Sequence, residues 1–197
     1  MPRARKLFPI YGSALANNMF MAVQSDRMVS HFIAGYVAEH DREGILGGPA
    51  RDRELAETVG REILLCMIAE AHEALPAFFG RKQKSKLKKE EKETVEAFST
   101  ELLAALARAL NWSAEDRREF RRDLVMYSDF RARQELAVNV RKRGATPQEE
   151  APFIARVALL LDPSMLEQAR RAAREFHAAV CLLARKLLRR TLSPGRR

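Results

Sequence analysis

Residues 166–187 read LEQARRAAREFHAAVCLLARKL, and their spacing decides the fold class. Leu166, Ala169, Ala173, Phe176, Val180, Leu183 and Leu187 recur at alternating intervals of three and four. That period keeps apolar side chains on one stripe of an α-helix and produces a packing seam of coiled-coil type. The seam either packs inside the chain's own bundle or pairs with a second copy. Other amphipathic helices in the same chain favour the first arrangement.

The same signal recurs upstream. Leu55, Val59, Ile63, Met67, Ala71 and Leu75 repeat every four residues, after a Pro49 suited to a first helical position. Pro76 limits that helix. Val95, Phe98, Leu102, Leu106 and Leu110 form another stripe. Ser113 then caps a new helix with Glu115 and Asp116 in its first turn, where negative charge suits the helix dipole. That helix can run to Gly144. Thr146-Pro147-Gln148-Glu149 reads as a capping box with Pro at the first helical position, opening a short helix closed by Asp162-Pro163. Leu15, Met19 and Val23, then Met28, Val29, Phe32, Ile33, Tyr36 and Val37, give one kinked helix or two.

The expectation is an all-α, multi-helix bundle of five to seven helices, two or more of them long. It is read as a single helical domain over 1–197, with a subdomain joint allowed in the basic connection 80–90. Ala, Leu, Arg and Glu dominate, as helical composition requires. No stretch of about 18 apolar residues exists, so no membrane span is expected. The basic segment LLARKLLRR (182–190) continues the buried seam, which argues against a membrane-surface role. Arg3, Arg5 and Lys6 precede an apolar run broken by Pro9 and Gly12, a poor secretory signal. The two cysteines, Cys66 and Cys181, sit in apolar runs and read as reduced thiols of a cytoplasmic protein.

The net charge is +9 and is polarised along the chain. Residues 12–80 carry five arginines against ten acids, a balance of −5, while residues 164–197 carry nine bases against two acids, a balance of +7. A basic half attracts polyanions, and an acidic half suits a protein partner or a second subunit. Three clusters carry the positive charge. Lys82, Lys84, Lys86, Lys88 and Lys89 belong to RKQKSKLKK, before the helix that starts near Glu90. Arg117, Arg118, Arg121 and Arg122 pair at i and i+4 on the long helix. Arg185, Lys186, Arg189 and Arg190 repeat that pattern at the end of the last helix, where bases also offset the dipole.

Catalytic motifs are weak by comparison. His40-Asp41 has the residue types of a metal-dependent phosphohydrolase, but His31 stands at the wrong distance and the pair falls at a helix end. Glu62, Cys66 and Glu70 stack one turn apart, yet no Glu-x-x-His accompanies them, so Cys66 is expected in the core with its glutamates on the rim. His177 and Cys181 share a helix face, but four ligands are normal for zinc and the other cysteine is distant in sequence. Asp123, Tyr127 and Asp129 form a polar cluster that fixes helix register or lines a pocket. No phosphate loop or nucleophile elbow is present.

The function expected is therefore a non-enzymatic accessory protein that contacts nucleic-acid backbone through its basic half without sharp sequence specificity. No metal or other cofactor is expected. The alternatives are a protein-interaction or regulatory bundle that dimerises through the last helix and binds no nucleic acid, and a small metal-dependent hydrolase or ligand-binding bundle.

Overall fold

The computed structural model describes residues 2–25, 28–40, 49–80, 87–141 and 150–192. The chain is an all-α bundle: α1 Pro2–Ser25, α2 Met28–His40, α3 Pro49–Ala74, α4 Lys89–Ala109, α5 Ala114–Arg141, α6 Pro152–Leu161 and α7 Leu166–Leu192. A 3-10 turn, Leu75–Phe79, follows α3. Pro76 stops regular α-helix there, and the turn closes at Gly80, whose φ of 68° is readily available only without a Cβ.

The bundle is organised around α3. Every residue from Glu62 to Ala71 is buried, and Ile63, Leu65, Met67 and Ile68 are completely enclosed. A helix buried on all sides must be covered by several neighbours. Here α1, α2, α5, α6 and α7 all pack against it. The four-residue stripe of α3 is thus only one of its buried faces. Glu62 and Glu70, expected on the rim, are 5 % and 2 % exposed. The reason is the run ILLCMIA between them, which is apolar around the whole helix and draws both flanks inside.

The seam of α7 is used within the chain. Ala169, Ala173, Phe176 and Val180 are buried, Leu183 and Leu187 are partly buried, and α3, α6 and α1 cover them. Phe176 stacks on Phe32 of α2 at 3.9 Å between ring centroids. The short helix α6 opens at Pro152. Ala151 is extended (φ −61°, ψ 137°), as a residue preceding proline prefers, and Pro152 takes the first helical position. The capping-box residues 146–149 lie outside the described residues.

The helix pair α1–α4 depends on one glycine. A Cβ on Gly12 would stand 2.7 Å from the Phe98 carbonyl oxygen and 3.1 Å from the Leu102 nitrogen, both backbone atoms that cannot rotate away. Beside it, the Ser13 hydroxyl donates to Glu101 at 2.5 Å. That bond, with help from Arg108, holds the Glu101 carboxyl below the usual carboxylate range. Gly12→Ala is expected to cost about 1–3 kcal/mol, the cost of overpacking a close contact, although alanine is the better helix former. Chemical denaturation of the two proteins checks this.

Candidate functional site

The corner between α4 and α5 is a rigid construction. Asn111 takes a left-handed φ of 51°. Its N–H bonds the Arg108 carbonyl at 3.2 Å, and the Trp112 N–H bonds the Ala107 carbonyl at 2.9 Å. These two bonds form a Schellman motif, and asparagine tolerates the left-handed position better than most residues. Ser113 begins α5 at once. Its hydroxyl accepts from the Asp116 N–H at 3.1 Å, and the Asp116 carboxylate accepts from the Ser113 N–H at 2.8 Å. This reciprocal box holds the Asp116 carboxyl below its ordinary range.

Around this corner lies an open groove of about 390 Å³. Arg108, Arg117 and Arg121 line it together with Asn111, Trp112, Phe120 and the apolar side chains of Leu103, Ala104 and Ala107, and no acidic residue is among them. The Trp112 ring packs on Phe120 at 4.4 Å, so the indole forms a fixed wall. The Arg117 Nε donates to the carbonyls of Trp112 and Ser113 at 3.3 and 3.2 Å. Arg108 reaches Glu101 at 2.8 Å.

Three acids in the first half of α5 have partners. Asp116 is engaged at the cap. Glu119 pairs with Arg61 of α3 at 3.6 Å, and Asp123 binds Arg61 at 3.0 Å and Arg156 of α6 at 3.1 Å. Arg156 also donates to the buried Glu62 at 3.0 Å, and the Tyr127 hydroxyl donates to that same carboxylate at 2.5 Å. Burial, and then the Glu62 charge, push the Tyr127 phenol far above its usual range, so it stays a donor. The expected polar cluster therefore exists as a network joining α3, α5 and α6, with Asp123 and Tyr127 as members and Asp129 left exposed. Arg117, Arg118, Arg121 and Arg122 are all exposed, with the exposed Glu115 one turn before Arg118.

The described residues of the other clusters do not line this groove. Lys82, Lys84 and Lys86 lie outside the described residues. Lys88 and Lys89 are exposed at the start of α4, about 28 Å along its axis from Arg108. Lys186, Arg189 and Arg190 are exposed on α7, whereas Arg185 is bound to the buried Glu70. Helix α6 packs against both α5 and α7, and none of Arg185, Lys186, Arg189 and Arg190 lines the groove. The structure thus brings together Arg117 and Arg121 and adds Arg108 and Trp112, which sequence reading missed. The available signal was Asn111 itself, a left-handed former between two helices.

Among the residues weighed for chemistry, His40 ends α2, with its Nδ1 at 3.1 Å from the Tyr36 carbonyl, and Asp41 lies outside the described residues. Cys66, His177 and Cys181 meet across the α3–α7 interface. Among the described residues, no helix is long and apolar enough to cross a membrane. Comparison with family models, curated proteins and solved structures returns no match to this chain.

Proposed function

We propose that this is a non-enzymatic, cytoplasmic nucleic-acid-binding protein that contacts phosphate backbone through the outer face of α5 and the groove at the α4–α5 corner. The observation that carries the reading is the charge arrangement of α5. Glu119 and Asp123 hold α3 and α6 while four arginines stand exposed, two of them in a groove that already contains a third. Guanidinium groups match phosphate in a fork geometry and keep their charge at any working pH. The arginine row follows a helix face and has one tryptophan beside it, which suits contacts to backbone better than readout of base edges. The exposed bases at the end of α7 also complement that helix's dipole, so they need no ligand to account for them.

Two short fluorescent duplexes of unrelated sequence provide the test, read by anisotropy at low salt. Both should saturate with affinities within about threefold of each other, as backbone-directed contacts require. Absence of saturable binding to either duplex and to single-stranded RNA defeats the proposal.

A further inference from the structure

Cys66 on α3 and Cys181 on α7 are separated by 115 residues, yet their sulfur atoms lie 3.8 Å apart. His177, one turn before Cys181, brings its Nε2 to 3.5 Å from the Cys181 sulfur. All three ligand atoms fall within 4.8 Å of one another. The two cysteines form no disulfide. We propose that Cys66, His177 and Cys181 form a binding site for a thiophilic divalent metal ion of the zinc type, with one solvent molecule as fourth ligand.

The edges of the triangle support this. With metal–sulfur bonds of about 2.3 Å and metal–nitrogen bonds of about 2.0–2.1 Å at tetrahedral angles, two sulfurs stand about 3.8 Å apart and sulfur and nitrogen about 3.6 Å. The two measured edges, 3.8 and 3.5 Å, have these lengths before any ion is present. The donor set is two soft sulfurs and an imidazole, which selects zinc-like ions over magnesium or calcium.

Charge and access agree. Cys66 is 3 % exposed, and a buried site penalises net charge. Two thiolates and a neutral imidazole cancel a divalent ion, each thiol releasing its proton to solvent as the sulfur–metal bond forms. One turn further along both helices, Glu70 and Arg185 pair and cancel each other. Cys181 and His177 are only partly buried, so the ion enters from the α7 side and keeps solvent there. The ring of Phe153 lies 5.4 Å from that of His177 and flanks the imidazole. The requirement for four protein ligands, which set this pair aside in the sequence, applies to closed structural sites; three ligands and a solvent molecule make an open one.

The test uses the full chain, reduced and stripped of metal, titrated with Co²⁺ without oxygen. One ion per chain should bind, with the visible bands of tetrahedral cobalt and a near-ultraviolet thiolate charge-transfer band, and Zn²⁺ should bleach both. Cys181→Ser should weaken binding by more than about 100-fold, since even an outer-shell partner is worth 10–100-fold. Zn²⁺ should raise the melting temperature of the parent protein and leave that of Cys181→Ser unchanged. If Cys181→Ser does not fold, alkylation of the parent decides: one equivalent of Zn²⁺ must protect both thiols. No cobalt uptake, an octahedral spectrum insensitive to Cys181→Ser, or alkylation and air oxidation to a disulfide at rates unaffected by Zn²⁺ would each overturn the proposal.

Discussion

Arg156→Leu is expected to destabilise the protein by about 3 kcal/mol, and so to lower its melting temperature by roughly 6–12 °C for a chain of this size. The Glu62 side chain is 7 % exposed and, among the described residues, its carboxylate accepts from the Arg156 guanidinium and the Tyr127 hydroxyl. Removing the cation strands a charge in the core. Breaking one side of a buried pair costs about 3–5 kcal/mol, and the lower end applies because the Arg156 side chain is itself 35 % exposed. The leucine stem replaces most of the buried hydrocarbon, so lost packing contributes little. Adding Glu62→Gln to Arg156→Leu should recover most of the loss, because no charge is then stranded and the amide oxygen still accepts from Tyr127. Thermal and denaturant unfolding of the single and double variants measure both effects. A loss below 1 kcal/mol for Arg156→Leu would mean that Glu62 is solvated and that α3 is not enclosed on this side.

Arg117→Glu/Arg121→Glu should lower affinity for a short duplex by about 100-fold or more at low salt. Two charge-assisted hydrogen bonds to phosphate, at about 1.5 kcal/mol each, account for that factor before repulsion is added. The variant should remain folded, losing only the exposed bonds from the Arg117 Nε to the Trp112 and Ser113 carbonyls. Both side chains are exposed, and acidic residues early in a helix favour its dipole where arginines oppose it. Loss of binding without loss of stability separates a contact surface from a structural one. Arg189→Glu/Arg190→Glu and Lys88→Glu/Lys89→Glu alter net charge equally but lie away from the groove, and should weaken binding far less. Equal losses from all three pairs would indicate a response to net charge alone.

Local signals in the sequence carried much of this architecture. The three-and-four spacing from Leu166 to Leu187 marks a helix wherever it is placed, and Ser113 with Asp116 needs only its own turn to cap α5. What could not be read depends on how many helices surround a given one. A four-residue stripe on α3 implies one buried face, whereas five neighbours bury every face, and only that assembly turns Glu62 and Glu70 from rim residues into enclosed ones. The meeting of Cys66 with Cys181 is of the same kind, since no local pattern relates residues 115 positions apart. Thr146-Pro147, outside the described residues, and Ala151-Pro152 both offer a proline for the first helical position. The extended backbone at Ala151 selects the second. For the candidate site, the arginine row of α5 was legible as spacing, but the ion pairs that engage Glu119 and Asp123 beside it were not. Arg108 joins the row only through the left-handed turn at Asn111.

The salt dependence of duplex binding tests the central claim most directly. If Arg117, Arg118, Arg121 and Arg122 each neutralise one phosphate, the plot of log affinity against log salt has a slope of about −3.6, and affinity falls roughly 150-fold between about 50 and 200 mM salt. In Arg117→Gln/Arg121→Gln the slope should be shallower by about two. A slope near zero, or one unchanged by that substitution, would contradict the assignment of α5 as the phosphate-binding face.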